Sequence, residues 1–149
     1  MIEIPIEVSD AETIVRGIFH PFHLNGTKLK WHAFRPPPTR ADVSVARHDY
    51  LGTDQCRTRA KSVRSPGEYR GLASLKVQAV RAAGPDVVDS REQYLGHADI
   101  MHVYILEAGE PPESKVFGEL RDTCKQLAKE ATFRPDPEPA AETWKGEPI

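Results

Sequence analysis

Apolar and acidic residues alternate through Ile2-Glu3-Ile4-Pro5-Ile6-Glu7-Val8, a pattern that predicts a half-buried strand kept at a sheet edge by Pro5. Ser9-Asp10-Ala11-Glu12 then has capping-box spacing, and Ile14, Val15, Ile18 and Phe19 share one helical stripe. A short helix from about Asp10 to Phe19 is favoured, with a strand as its rival because Thr13, Ile14 and Val15 are β-branched. Pro21 pushes His20 towards extended backbone and ends either element. Leu29 to Phe34 alternates as a strand closed by Pro36-Pro37-Pro38, and Val43 to Tyr50 reads as another.

Gly52-Thr53-Asp54 offers a turn and an N-cap for a short basic helix through Val63, broken by Ser65-Pro66-Gly67. Tyr69 to about Lys76 suits a strand, followed by a short helix ending at Gly84-Pro85. Val87-Val88 and Ile100 to Leu106 supply further strand. Pro111-Pro112 opens the clearest helix, whose stripe is Val116, Leu120, Cys124, Leu127 and Ala131 until Pro135. Pro135-Asp136-Pro137-Glu138-Pro139 cannot form a regular helix and predicts an extended tail, pinned by Trp144. Strands and helices mixed without regular βα alternation predict an α+β fold. The expectation is a single small domain over residues 1–134, with a mixed or antiparallel sheet packed against a C-terminal helix, and a Pro-rich tail over 135–149.

Composition narrows the classes. With 39% hydrophobic and 28% charged residues, the chain is neither disordered nor fibrous. Its net charge of -2 provides no whole-molecule field towards nucleic acid or an anionic membrane. The charges are nonetheless uneven: from Arg35 to Arg70 there are 8 basic and 4 acidic residues, and from Glu107 onward 10 acidic and 6 basic. A basic middle suits an anion-binding face or an attraction between the two regions within the fold. Two distant cysteines indicate neither a disulfide framework nor a zinc knuckle, and no apolar run is long enough to span a bilayer, so a soluble cytoplasmic protein is expected.

Candidate chemistry centres on Gly96-His97-Ala98-Asp99-Ile100-Met101-His102. On a strand His97 and Asp99 share a face and His102 points the other way, so the three cannot bind one ion without a bulge. Convergence of His97 and Asp99 with His20 and His23, from His20-Pro21-Phe22-His23, would give a divalent metal site, zinc first, of the kind that activates water. His102 would then orient or act as acid/base, and the competing structural role for it is a core histidine. Trp31-His32-Ala33-Phe34-Arg35 and Arg47-His48-Asp49-Tyr50 set aromatics beside cations, which suits single-stranded nucleic acid, with His48 available for general acid/base cleavage. Cys124 lies on an apolar stripe and reads as packing and not as a nucleophile; Cys56, among arginines at a helix start, gives a weak hint of thiol reactivity.

Two functions follow as expectations. One is a metal-dependent hydrolase or nuclease, with His97, His102 and His48 as catalytic candidates and Arg35 and Arg47 holding an anionic substrate. The other is a non-enzymatic interaction module or subunit of a larger assembly, docking a protein partner through the C-terminal tail. Phosphate-loop, dinucleotide-binding, nucleophile-elbow and His-Glu-x-x-His patterns are absent.

Overall fold

Six strands build one sheet in the computed structural model, which describes residues 3–149. They are β1 (Thr13–His20), β4 (Asp42–Arg47), β5 (Glu68–Lys76), β6 (Asp86–Asp89), β7 (His97–Met101) and β8 (Thr132–Pro135). Their order is β6-β7-β4-β1-β5-β8, and every neighbouring pair is antiparallel. A two-stranded hairpin, β2 (Leu24–Asn25) and β3 (Lys28–Leu29), leads into a 3-10 turn at Trp31–Phe34. The helices are α1 (His48–Lys61), α2 (Val77–Ala83) and α3 (Lys115–Glu130). The architecture is α+β, with a fully antiparallel sheet.

Both faces of the sheet are covered. On one, Ile14, Ile18, Val45, Leu75 and Ile100 pack with Leu120, Cys124 and Leu127 of α3, the stripe anticipated from its spacing. On the other, Val15, Ala46 and Leu72 pack with Cys56 and Ala60 of α1. This double covering explains β1. Ile14 and Ile18 serve one core and Val15 the other, so a centre strand needs the near-continuous apolar run that also resembles a helical stripe. The expected helix over Asp10–Phe19 is therefore corrected to a strand. Its capping-box residues still meet, as a turn: the Ser9 amide donates to Glu12 Oε2 at 2.7 Å and the Glu12 amide to the Ser9 carbonyl at 3.1 Å.

Other expectations shift in register. Glu3–Val8 forms no strand, and Ile4 and Val8 are buried while Ile6 is exposed; Ile2 lies outside the described residues. Leu29–Phe34 is a 3-10 turn after one strand residue, because Ala33 and Phe34 are consecutive and both fully buried. Pairing of β7 starts at His97 and stops at Met101, opposite the first residues of β4 and β6, so Val103, Tyr104 and Ile105 are exposed. β4 ends at Arg47 and α1 begins at once, bending at Gly52, whose φ of 76° lies in the left-handed region. The strand after α3 was not anticipated. It forms because Gly71 has no Cβ, which would sit 2.3 Å from the Arg134 carbonyl oxygen.

Candidate functional site

The histidines separate. His102 is 5% exposed and donates from Nε2 to the Phe34 carbonyl at 2.8 Å, an acceptor it shares with Cys124 Sγ. It is a core residue whose pKa burial lowers. His97 is also buried, and its Nδ1 shares a hydrogen bond with Ser90 Oγ while Tyr94 packs edge-on against the ring. Burial lowers its pKa, against the opposing pull of Asp99. Asp99 pairs with Ser44, one step along the face on which His97 pairs with Ala46, and burial raises its pKa. His48 hydrogen-bonds Thr53 Oγ1 at 2.9 Å at the start of α1.

His23 Nδ1 accepts the Phe19 amide at 3.0 Å, so that nitrogen is closed to a metal. Burial, then the nearby Arg16 cation, lowers its pKa to about 4. His20 is exposed at the end of β1. Among the described residues no three His, Cys, Asp or Glu side chains are grouped to hold a metal. His20, His23, His97 and Asp99 therefore do not assemble into the expected site, although His23 and His97 line the same cavity. The reason lies in strand order: β4 stands between β1, which carries the His20 end, and β7, which carries His97 and Asp99.

Arg47 is a structural cation. It is 0% exposed, and all five of its N–H groups are engaged: Nε and Nη2 on Glu12, Nη1 on Asp89 and the Pro5 carbonyl, and Nη2 also on the Glu7 carbonyl. No donor is left for a substrate. Arg35 instead lies over the rings of Trp31 and Phe117, 5.5 and 5.3 Å from their centroids.

The residues that do converge surround a cavity of about 430 Å³ between α1 and the sheet. It opens where β1 and β4 part: their pairing covers Ile14↔Arg47 and Val15↔Ala46 and goes no further. Arg16 fills the wedge, donating from Nε to the Ala33 carbonyl at 2.6 Å and from Nη1 to the Ser44 carbonyl at 2.7 Å. No carboxylate pairs with it among the described residues. Burial lowers its pKa to about 10, so it remains a cation at neutral pH.

Arg59 and Arg64 line the same cavity, with Ser62, Ser65, Tyr94 and His97. The Arg59 guanidinium sits 3.9 Å from the Tyr94 ring centroid, continuing the packing of Tyr94 on His97. No Asp or Glu lines the space. Three arginines without a facing carboxylate, beside hydroxyl groups, form an environment for an anion. Cys56 lies in its wall, but burial pushes the thiol up to about 12, so the expected thiolate chemistry is not favoured. Sequence reasoning missed Arg16. The available signal was a single charge inside the apolar run Ile14–Phe19.

Comparison of the chain with protein-family models, with curated proteins and with solved structures returns no match, so the geometry alone carries the functional argument.

Proposed function

We propose that the protein binds an anionic ligand through a phosphate group seated in the cavity between α1 and the sheet. One observation carries this reading: Arg16, Arg59 and Arg64 line a half-open cavity to which no carboxylate contributes. A partly buried cation without a counter-ion, as Arg16 is, carries a desolvation cost that a bound anion offsets. Planar guanidinium groups match the oxygens of phosphate better than lysine does. The reading keeps the expected anionic partner and places it away from Arg47, whose donors are all internal.

Calorimetric titration with inorganic phosphate and a nucleoside 5′-monophosphate tests it. Arg16→Met and Arg59→Ala are each expected to weaken binding by roughly 10- to 100-fold, the worth of one or two charge-assisted hydrogen bonds. Arg59 is exposed on α1, so its substitution is a check independent of any folding defect in the Arg16 variant. Absence of millimolar binding, or binding unchanged in both variants, would sink the proposal.

The Ser90–His97 pair favours a second reading, metal-independent hydrolysis of a phosphoester with His97 as acid/base. Ser90 fixes one ring nitrogen and burial favours the neutral imidazole that such a base requires. Release of product from a chromogenic phosphodiester, lost in His97→Ala with phosphate binding retained, distinguishes catalysis from binding alone.

A further inference from the structure

A second acid-free surface lies on the α3 side of the sheet, opposite the face that α1 covers. A groove of about 970 Å³ runs between the β2–β3 hairpin with its 3-10 turn on one side and the C-terminal half of α3 on the other. Lys28 and Lys30 stand on the hairpin side, Lys125 and Lys129 on α3, one turn apart on the same helix face. Between the two rows lie Leu29, half-buried Trp31 and half-buried Phe133. No Asp or Glu lines it. His32 Nδ1, at its wall, is enclosed and has no hydrogen-bond partner among the described residues.

Two hydrogen bonds brace the hairpin and its 3-10 turn against the rest of the fold. The Lys30 amide donates to the carbonyl of His23, a cavity residue, at 2.8 Å. Arg16, in the cavity wall, donates to Ala33 in the same 3-10 turn that gives Trp31 and His32 to the groove. The groove thus presents two rows of lysine flanking an apolar floor. A ligand matching this has repeating negative charge on its outside and flat apolar groups between, which is the chemistry of a nucleic-acid single strand. A duplex hides its bases, and an inorganic polyphosphate has nothing to place on Leu29 and Phe133.

We propose that this groove is the track for a single-stranded oligonucleotide. This surface is separate from the cavity, so a strand can bind here whether or not the cavity takes phosphate. The lysine rows hold the backbone and the apolar floor receives bases without base-edge readout, so binding is tolerant of sequence.

Fluorescence anisotropy with labelled oligouridylate and oligothymidylate of 3, 6 and 12 nucleotides tests it, beside calorimetry with inorganic phosphate. Affinity is expected to rise at least tenfold from phosphate to the longest strand and to fall with salt. The paired substitution Lys125→Ala with Lys129→Ala lies on an exposed helix face and is expected to leave the fold intact. It should weaken oligonucleotide binding about tenfold and make the log–log salt slope shallower by about 1.4, at roughly 0.7 per phosphate contact on a single strand. Phosphate binding in the cavity should be unchanged. No gain with length, unchanged binding by the lysine variant, or equal binding of inorganic polyphosphate at matched charge would overturn the track. If the oligonucleotide binds through the lysines but phosphate does not bind, the track stands and the cavity reading falls. A preference for the ribose over the deoxyribose strand would identify the groove as an RNA site; equal affinity supports the strand chemistry common to both.

Discussion

Arginine charge within the fold is handled in two opposite ways, by the fully buried Arg47 and the partly buried Arg16. Arg47 has Glu12 and Asp89 within 2.8 Å, and its remaining donors meet backbone carbonyls. For Asp89, burial alone would raise the pKa, but hydrogen bonds from Arg91 and Arg47 outweigh it and the carboxylate stays ionised. Arg16 has only carbonyls. That difference separates a structural cation from one able to hold a ligand. His23 reports on the same neighbourhood. Its pKa is lowered in the fold to about 4, so the unfolded chain binds the proton more readily, at about 6.5. Its contribution to stability is complete above about pH 6.5 and declines as pH falls from there towards 4. Urea unfolding at pH 5 is expected to give about 2 kcal/mol less stability than at pH 7.5, from roughly 1.5 pH units at 1.4 kcal/mol each. His97 and His102 shift in the same direction and add to this; the raised Asp99 works against it. Equal stability at the two pH values would show that His23 is not held neutral. His23→Asn, which retains an acceptor for the Phe19 amide, should flatten the dependence.

At the scale of elements, the packing of α1 on β1 sets the shape of the cavity. A Cβ on Gly17 would lie 2.6 Å from Ala60 Cβ, closer than two carbons can approach, so the helix sits as near the strand as it does because residue 17 is glycine. Gly17→Ala is expected to cost about 1–3 kcal/mol as α1 is wedged away, and to weaken phosphate binding by displacing Arg59. Adding Ala60→Gly should return a good part of both losses. Thermal or urea unfolding of the two single variants and the double gives the coupling; strict additivity would mean that the two residues do not touch. Elements were legible in the chain where one periodicity stood alone or where one gave way to the other along the chain. The stripe Leu120, Cys124 and Leu127 is buried as its spacing predicts, and the strand to Lys76 followed by the helix to Ala83 matches the joint reading of that stretch. β1 and the Trp31–Phe34 turn were not legible, because a centre strand covered on both faces and a buried tight turn both break the two-residue alternation.

For the whole molecule, the C-terminal segment is part of the fabric around the cavity. Asp136 is 7% exposed and accepts from Arg57 Nε at 2.6 Å and from the Tyr69 hydroxyl at 2.9 Å, and Arg57 also reaches the Glu138 and Pro139 carbonyls. The Trp144 amide donates to Asp54 of α1 at 2.8 Å, and its ring packs with Tyr69 around the α1 core. The segment thus fastens α1, the helix that carries Arg59. Asp136→Ala leaves Arg57 buried without its counter-ion and is expected to lower stability by about 3–5 kcal/mol in urea unfolding. A loss below about 1 kcal/mol would show that the strap contributes nothing to the core.

By itself, the sequence determined what local physics can determine: an α+β mixture, a C-terminal amphipathic helix, the breaks at Pro21, Pro66 and Gly84, and the paired facing of His97 and Asp99 against His102. Each of these depends on side-chain spacing or on a backbone restriction within a few residues. The composition of the site depended on strand order. By placing β4 between β1 and β7, the fold sets His23 and His97 on the walls of one cavity without forming a ligand set, and by letting β1 part from β4 after Val15 it opens the space that Arg16 enters. Whether a cation is neutralised, as Arg47 is, or left to face a cavity, as Arg16 is, depends on carboxylates dozens of residues away. Only the tertiary structure brings those groups within reach or keeps them out.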